Sequence, residues 1–456
     1  MTDVSRTSVS VDAPPSKSLS HRKLIAASLA EGATRLSHVL ESEDINRTIA
    51  VLQGVGVRIE REAPGAYAVT GLGGAPSGGE RAPVSCFMGE SGTSCRLLTA
   101  ILAAGEGSFA VHGVPRLHER PMAELLETLA RLGAGILCQG KPGYLPIQLG
   151  AHGLSQPGDA WLPVRADLSS QFLSGLLLAA PLARDGLRIC LEGERVASWP
   201  YVVLTLQTLE ESGISISVTT LQEGEWREID WRMVHAPLPG ATRFEVHRGQ
   251  YRPLAGDSAL VEGDYSGASC LLAAGAIGPT AVTVRNLRRD SSQGDRVFLD
   301  FLEGMGASVS WQGGDVTVRP GALRGIRRNM LHCPDLVPAV AVLASFADSP
   351  TVLEGVGNLR LKESDRLAAP VMELAKVGVQ ITVTDDAMTI LPTMVRSGET
   401  IHFSAHNDHR MAMSLALLEL AGIGVILDDP SCVGKSFPSF WEIWRTIFPD
   451  TRVAVG

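Results

Sequence analysis

This sequence has fewer positive than negative charges, no long uninterrupted apolar segment and no cysteines spaced as CxxC. Its 40 lysines and arginines are outnumbered by 49 aspartates and glutamates, and the net charge of −9 argues against a surface that binds nucleic acid or anionic membrane. The longest uncharged stretch, residues 265–284, is interrupted by Gly278 and Pro279, and the first ten residues lack the apolar core of a signal peptide. We therefore expect neither a membrane span nor secretion.

The seven cysteines are scattered along the chain and are never spaced as CxxC. This pattern favours unpaired thiols in a reducing compartment over disulfides or a zinc site. We expect a cytoplasmic protein, and its 456 residues are enough for roughly two to four domains.

A repeated pattern organises the chain. A polar turn, an almost wholly apolar helix-length run and a β-branched strand follow one another six times, as in SLSHRKLIAASL and LSSQFLSGLLLAA. The six runs start at Ser20, Ser91, Ser169, Ser266, Asp335 and Asp408. Between them lie amphipathic helices that end in glycine before a strand, at Gly56, Gly133, Gly213, Gly306 and Gly378. The sequence predicts an α/β fold in which strands pack around internal helices.

The apolar helices have a functional implication. A helix that is apolar on all sides must be buried, and each of these begins with polar residues. Helix N-termini present free N–H groups and a positive dipole end, which together attract anions. If the six N-termini face one cleft, they form a local anion site in spite of the negative net charge.

Charged and polar side chains cluster at the starts of these repeats. The cations are Lys17, Arg22, Arg96, Arg120, Lys362, Arg366, Arg410 and Lys435, and the neutral donors beside them are Ser18, Thr93, Ser169, Ser170 and Gln171. Together they predict a pocket for more than one phosphate or carboxylate. Asp335 and Glu363 lie in this basic surrounding, where one acid can donate a proton while the other accepts one. We expect Asp365 and Asp408 instead to orient the Arg or His that stands next to each of them.

Three segments resemble motifs of other functions, but each lacks a residue, a structural context or a spacing that its motif requires. DDPSCVGKS has Asp429 where a phosphate-binding loop needs glycine, and GLGGAPSGG lacks the strand and helix of a dinucleotide site. HFSAHNDHR offers His402, His406, Asp408 and His409, but their spacing is irregular for a metal site. We expect no metal and no cofactor.

The motifs SKSLSHR, SGTSCRL, ERP, SSQF, PDLVPA, NLRLKESDRL, NDHRMAM and KSFP occur in this order along the chain. The series resembles the 5-enolpyruvylshikimate-3-phosphate (EPSP) synthase family over essentially the whole sequence. The related transferase that acts on a UDP-sugar has Lys-Asn near its start, whereas this chain has Lys17-Ser18. The resemblance implies a transfer of enolpyruvyl from phosphoenolpyruvate to the 5-hydroxyl of shikimate 3-phosphate, through a tetrahedral ketal, in aromatic amino-acid (chorismate) biosynthesis.

The resemblance also implies two similar domains, each of three repeated βαβαββ-like units with buried parallel helices, an inside-out α/β barrel. Residues 1–15 with 259–456 would form one domain and 16–258 the other, with the active site in the cleft between them. We expect small-molecule substrates only and a monomer.

Site residues follow from the motifs. The resemblance implies that Asp335, Glu363 and Lys17 are catalytic. It implies that shikimate 3-phosphate binds to Lys17, Ser18, Arg22, Ser169, Ser170, Gln171, Ser198, Asp335, Asn358 and Lys362. It implies that phosphoenolpyruvate binds to Lys17, Gly92, Arg120, Gln171, Arg366, Arg410 and Lys435.

Two positions depart from the family pattern. Glu90 replaces the usual asparagine before the small-Gly-Thr turn, and Pro15 replaces the usual glycine before Ser-Lys. We expect Glu90 to weaken phosphoenolpyruvate binding unless it pairs with Arg96 or points away. Gly92 leaves room for the phosphonate inhibitor glyphosate, a known ligand of the family. Two alternatives stay open: a transferase paralogue with another acceptor, and a non-catalytic anion-binding paralogue.

Overall fold

The computed structural model describes residues 8–392, 398–451 and 453, which form two units of mixed α/β structure. The continuous unit is Lys17–Val261, and the discontinuous unit is formed by the described residues of Met1–Ser16 and Glu262–Gly456. The α/β class predicted from the repeat is confirmed. The helices are α1 (Lys17–Leu29), α2 (Glu43–Gly54), α3 (Gly92–Ala103), α4 (Pro115–His118), α5 (Ala123–Arg131), α6 (Ser170–Ala179), α7 (Trp199–Glu211), α8 (Tyr265–Ile277), α9 (Phe298–Met305), α10 (Val337–Ala344), α11 (Ala368–Ala375), α12 (His409–Ala416) and α13 (Phe440–Ile447).

Most strands are short. They are β1 (Ser8–Asp12), β2 (Ala33–Leu36), β3 (Arg58–Ala63), β4 (Ala66–Thr70), β5 (Val84–Phe87), β6 (Glu106–His112), β7 (Gly135–Cys138), β8 (Ile147–His152), β9 (Leu162–Arg165), β10 (Leu187–Glu192), β11 (Ile216–Gln222), β12 (Glu225–Glu228), β13 (Thr242–Val246), β14 (Ala281–Arg285), β15 (Ser308–Gln312), β16 (Asp315–Arg319), β17 (Arg327–Asn329), β18 (Thr351–Glu354), β19 (Ile381–Val383), β20 (Ala387–Ile390), β21 (Thr400–Phe403) and β22 (Gly424–Leu427).

The described strands form three sheets in each unit. The continuous unit has the orders β2-β4-β3, β5-β6-β8-β7 and β12-β11-β13-β10-β9, and the discontinuous unit has β1-β14-β16-β15, β17-β18-β20-β19 and β21-β22. Four of these sheets share one plan, in which the first strand runs parallel to the second and a hairpin adds two antiparallel strands. The shared topology agrees with the sequence repeat.

The six apolar runs form the buried helices α1, α3, α6, α8, α10 and α12. Every residue of α10 and α12 is buried, and in the continuous unit α3 packs against α6. Three predicted starts, Ser91, Ser169 and Asp408, are N-cap residues whose side chains accept a backbone N–H. The other three differ, because α1 begins three residues before Ser20, Asp264 rather than Ser266 caps α8, and Asp335 lies in a 3-10 turn before α10.

The predicted glycine stops are confirmed. Gly56, Gly133, Gly213, Gly306 and Gly378 all have φ between 76° and 110°, a left-handed conformation that glycine adopts without strain. They follow α2, α5, α7, α9 and α11, which lie between the buried helices in the chain.

All seven cysteines are free; Cys138, Cys190 and Cys432 are half-buried and the others are buried. Within the described ranges, the helices are too short or too polar to traverse a lipid bilayer.

Candidate active site

In the continuous unit, Lys17 lies in the first turn of α1. Its Nζ is 3.2 Å from Oδ2 of Asp44 in α2, and the two side chains are 15% and 6% exposed. The ion pair therefore stands at the polar end of a buried helix. Asp44 was not singled out from the sequence, because nothing local distinguishes it from other acids at a helix start.

Arg22 is buried one turn further along α1. Its Nε donates to Oγ1 of Thr205 at 2.8 Å, and its terminal nitrogens donate to Ser18 O at 2.9 Å, Tyr201 O at 2.8 Å and Ser174 Oγ at 3.4 Å. Burial lowers its pKa to about 10, so it stays charged near neutral pH. The structure uses four of its five donors within the unit, where they join α1 to α6 and α7.

A second cluster surrounds the start of α3. Arg96 donates from Nη1 to Oε1 of Gln171 at 2.7 Å, and Gln171 donates from Nε2 to Oγ1 of Thr93 at 3.0 Å. The buried Arg120 guanidinium lies directly against Gly92, since a Cβ added there would be 2.7 Å from its Nη1. The predicted residues Gly92, Arg120 and Gln171 are therefore brought together. Glu90 is half-buried just before this turn.

The hydroxyl residues predicted here lie at helix starts. Ser169 caps α6 by accepting from the Gln171 backbone N–H at 3.3 Å, and Ser170 follows it, buried. Ser198 precedes α7 with a φ of 55°, a left-handed conformation that is uncommon for serine. Ser18 lies beside Lys17 and is half-buried.

A buried hydroxyl network joins α1, α2 and α3, and sequence reasoning missed it. His21 Nδ1 is 2.8 Å from Oγ1 of Thr48, which is 2.8 Å from Oγ of Ser94, and Ser94 donates to Oγ of Ser91 at 2.7 Å. Burial and then the charges of Lys17 and Arg22 lower the pKa of His21 well below its usual value. A neutral His21 thus links the starts of α1 and α3.

In the discontinuous unit, one arginine holds three carboxylates. Arg366 is 1% exposed and binds both oxygens of Asp408, at 2.7 and 3.0 Å. It also donates to Asp335 at 2.6 Å and lies 3.0 Å from Glu363. These contacts bring together the two acids that the sequence predicted as a proton donor and acceptor. The spacing in NLRLKESDRL could not show that Arg366 would also reach Asp408 in a different repeat.

The charges of this cluster determine its protonation. Burial would raise the pKa of Asp335, but the positive charges of Lys362, Arg366 and Arg410 outweigh it and hold that pKa well below its usual value. The same balance of burial against Arg366 lowers the pKa of Asp408 to about 2. Both groups are therefore carboxylates near neutral pH, and Asp335 is available as a proton acceptor.

The remaining predicted residues of this unit are Asn358, Lys362, Arg410 and Lys435. Lys362 Nζ is 3.4 Å from Asp335, and the buried Lys435 ends a 3-10 segment, Pro430–Lys435, that packs against α12. Arg410 is 5% exposed, and its Nε and Nη1 have no hydrogen-bond partner among the described residues. Asn358 Oδ1 is likewise buried and unpartnered there. Unpaired buried donors are costly, and an anion would satisfy those of Arg410.

Asp295 is a buried carboxyl that sequence reasoning did not identify. It is 4% exposed, and burial together with the charge of Asp335 raises its pKa to about 7. Arg410 opposes this rise. The only sequence signal was an aspartate in a loop, SSQGDR, between a strand and a helix.

The predictions for Asp365 and Asp408 have different outcomes. Asp408 Oδ1 lies 3.8 Å from Nδ1 of the adjacent His409, but its hydrogen bonds hold Arg366, which is 42 residues away in the chain. The prediction for Asp365 is wrong, because its carboxylate accepts the backbone N–H groups of Leu367 and Ala368 at the start of α11. The described residues contain no cluster of His, Cys, Asp or Glu that could hold a metal ion.

Comparisons with known proteins cover both units. A family model described as EPSP synthase (3-phosphoshikimate 1-carboxyvinyltransferase) matches residues 1–229 and 235–444. The 3-phosphoshikimate 1-carboxyvinyltransferase of Shewanella denitrificans is 38% identical over 432 residues, 94% of each chain. That of a Marinomonas species is 35% identical over 450 residues, 97% of this chain and 98% of the other. The EPSP synthase structure of Acinetobacter baumannii matches with a TM-score of 0.71 and 26% identity, covering 95% of this chain and 94% of that one.

Proposed function

Because the chain belongs to the EPSP synthase family, we propose that the two clusters, one in each unit, act on the same pair of substrates. The protein transfers the enolpyruvyl group of phosphoenolpyruvate to shikimate 3-phosphate, a step of aromatic amino-acid biosynthesis, and releases phosphate. Both substrates carry several negative charges near neutral pH. Many buried cations and helix ends are therefore needed in a protein of net charge −9.

Shikimate 3-phosphate is proposed to bind polar groups from both units. Lys17 and the remaining N–H of Arg22 would contact its phosphate, since the other four donors of Arg22 are used within the unit. The amide oxygen of Asn358 is buried without a hydrogen-bond partner within the described ranges, which supports a contact with a sugar-like hydroxyl. The other proposed contacts are Ser18, Ser169, Ser170, Gln171, Ser198, Asp335 and Lys362.

Phosphoenolpyruvate is proposed to bind the arginine-rich groups. Nε and Nη1 of Arg410, which have no hydrogen-bond partner among the residues that the structure describes, and the planar guanidinium of Arg120 are suited to a carboxylate or a phosphate. Gly92 leaves the space in which Arg120 lies. Lys17, Gln171, Arg366 and Lys435 are the remaining proposed contacts.

The proton transfers are assigned to Asp335 and Glu363. Asp335, kept ionised by three neighbouring cations, accepts the proton of the attacking 5-hydroxyl, whose oxygen bonds to C2 of phosphoenolpyruvate. Glu363 donates a proton to the methylene carbon, which becomes a methyl group in the tetrahedral ketal. Elimination reverses the second transfer: the methyl group loses a proton, and the C–O bond to phosphate breaks. Lys17 is proposed to share the proton transfer to the leaving phosphate.

One observation carries this proposal. Arg366 fixes Asp335 and Glu363 on a single guanidinium, beside an Arg410 whose buried Nε and Nη1 have no hydrogen-bond partner in the described part of the chain. A proton acceptor, a proton donor and an anion-binding group thus lie in one cluster.

The test is a coupled assay of phosphate release with both substrates present, on wild type, Lys17→Ala and Arg35→Ala. Arg35 is an 82% exposed cation paired with Glu62, so its loss controls for removal of charge. We expect release in wild type and Arg35→Ala, and a large loss in Lys17→Ala. Binding of phosphoenolpyruvate without release would support a non-catalytic paralogue, and release only with another acceptor would support a paralogue of different specificity.

We also propose that the protein is a cytoplasmic monomer. Seven free cysteines support a reducing compartment. Light scattering on the purified chain would test the monomer, since a mass of twice 48.3 kDa would contradict it.

A further inference from the structure

The loop before α12 is held by a buried carboxylate outside the cluster described above. Glu373 of α11 is 3% exposed, and its Oε2 accepts from Lys376 Nζ at 2.6 Å and from the Ser404 backbone N–H at 2.8 Å. Its Oε1 is 3.0 Å from His406 Nε2. All four residues belong to the discontinuous unit, and none has a proposed contact with substrate.

The loop that Glu373 holds has an unfavourable backbone. His406 and Asn407 both have a φ of 53°, in the left-handed region that only glycine adopts freely. Two consecutive residues of this kind persist only where surrounding contacts fix them. Asp428 supplies further contacts, because it accepts from Ser404 Oγ at 2.6 Å and from the Ala405 backbone N–H at 2.8 Å.

This loop leads directly into the cluster. The residue after Asn407 is Asp408. Its two carboxylate oxygens accept from Nε and Nη2 of Arg366, and its Oδ1 also caps α12 by accepting from the Arg410 backbone N–H at 2.9 Å. The left-handed turn therefore sets the direction in which Asp408 and the start of α12 face. A loop that relaxed at His406 would shift Asp408 and, with it, the guanidinium that holds Asp335 and Glu363.

We propose that Glu373 and His406 form a clamp that positions Arg366 and Arg410 for phosphoenolpyruvate. They are positioning residues, since they act through Asp408 and the first turn of α12. The inference rests on the proposed roles of Arg366 and Arg410 in binding that substrate. It also assigns a role to HFSAHNDHR, in which the imidazole of His406 contacts the carboxylate of Glu373.

Three substitutions separate the clamp from general stability. Glu373→Ala removes all three contacts of the carboxylate. Glu373→Gln can retain them, because its carbonyl oxygen can accept from Lys376 and Ser404 while its amide nitrogen can donate to Nε2 of His406. His406→Asn shortens one side of the clamp at a position that is 25% exposed, and asparagine tolerates the left-handed backbone.

Glu419 provides a matched control in the same unit. It is also 3% exposed, and its Oε2 accepts from Trp444 Nε1 at 3.0 Å and Thr451 Oγ1 at 2.6 Å, near the end of the chain. Glu419→Ala removes a buried carboxylate of similar connectivity that lies beyond the far end of α12 from Asp408, in the 3-10 segment Leu417–Ala421. It should lower the melting temperature without changing affinity for phosphoenolpyruvate.

The experiment measures kcat, the KM for phosphoenolpyruvate at saturating shikimate 3-phosphate, and the melting temperature of each variant. We expect Glu373→Ala and His406→Asn to raise the KM about tenfold, the effect typical of losing one charge-assisted hydrogen bond. Glu373→Gln should restore it to within about threefold of wild type. Glu419→Ala should leave the KM unchanged.

The outcomes distinguish the clamp from the proposed binding role. Arg410→Ala is measured in parallel, and it should raise the KM for phosphoenolpyruvate more than either clamp variant. If Arg410→Ala raises the KM but Glu373→Ala and His406→Asn do not, the clamp is refuted and the role of Arg410 stands. If Arg410→Ala leaves the KM unchanged, its proposed role is wrong and the clamp inference is overturned with it. An equal rise in Glu419→Ala would show a general loss of packing and would also overturn the clamp.

Discussion

Replacing Gly92 by alanine should weaken phosphoenolpyruvate binding without destabilising the protein. Gly92 is the first residue of α3, and its backbone does not need glycine's left-handed conformation. An added Cβ would lie 2.7 Å from Nη1 and 2.9 Å from Cζ of Arg120, where ordinary contact begins at 3.4 Å. The guanidinium must therefore shift, and a movement of 0.7 Å, the difference between 3.4 and 2.7 Å, would restore ordinary contact.

The magnitude follows from what that displacement does to a charged hydrogen bond. Hydrogen bonds to charged groups contribute about 1.5–3 kcal/mol, and a misplacement of about 1 Å can cost about 100-fold in rate. If Arg120 binds phosphoenolpyruvate as proposed, we expect its KM to rise about 10- to 100-fold. Stability should hardly change, because the displaced atoms are the end of a flexible side chain and alanine favours a helix over glycine by up to about 1 kcal/mol.

The assay is phosphate release against phosphoenolpyruvate concentration, with thermal unfolding in parallel. Gly54→Ala is the matched control, since Gly54 ends α2 and a Cβ there meets nothing within 4 Å. An unchanged KM in Gly92→Ala, with a normal melting temperature, would refute the role of Arg120. A rise in KM that is equal in Gly54→Ala would show that the effect does not arise from contact with Arg120.

The remaining predictions concern the acids. Asp335→Asn and Glu363→Gln should each lower kcat by about 10²–10⁴-fold, the usual contribution of a positioned acid or base, and a kcat within about threefold of wild type would contradict the assignment. Asp295 binds its proton more tightly in the folded protein, with a pKa of about 7 against 3.8, so its contribution to stability falls as the pH rises from about 4 to 7. Asp295→Asn should therefore raise the melting temperature relative to wild type by a few degrees at pH 8 and by less at pH 5. The neighbours that set this pKa, Asp335, Asp264, Ser266 and Arg410, are not substituted in the variant. A difference in melting temperature that is independent of pH would be evidence against that pKa. Glu90→Gln should lower the Kd for phosphoenolpyruvate severalfold if the carboxylate repels it, and titration calorimetry that shows no gain would place Glu90 out of its reach.

The local signals in the sequence were sufficient for the helices but not for all of their starts. Apolar runs and terminal glycines can be recognised within a segment as long as one helix. All five glycines predicted to end helices have the expected left-handed φ. The start of a helix depends on which polar side chain accepts a free backbone N–H of the first turn and so becomes the N-cap. Asp264, not Ser266, caps α8, because its carboxylate accepts from the Gly267 backbone N–H at 2.8 Å. Several polar residues precede each helix, and the sequence alone does not rank them.

The predicted site residues show the same difference between what local motifs identify and what they do not. Asp335, Glu363 and Arg366 were identified from their motifs, and the structure brings them into contact. Asp44, Asp295 and Glu373 were missed because their partners are 27, 40 and 33 residues away, at Lys17, Asp335 and His406. A contact between residues so far apart in the sequence depends on how helices and loops pack, which no local pattern contains. The prediction for Asp365 was wrong for the opposite reason. Its carboxylate accepts a backbone N–H nearby in the chain and does not bind an arginine of the described ranges.

The most direct test of the central proposal is calorimetric titration of phosphoenolpyruvate into the shikimate 3-phosphate complex of Lys17→Ala and Arg410→Ala. Lys17 lies in the continuous unit and Arg410 in the discontinuous unit. If both clusters bind the same anion, each substitution should weaken binding at least about tenfold, while Arg35→Ala binds as wild type does. Weakening by only one of the two substitutions would contradict the proposal that both units bind phosphoenolpyruvate.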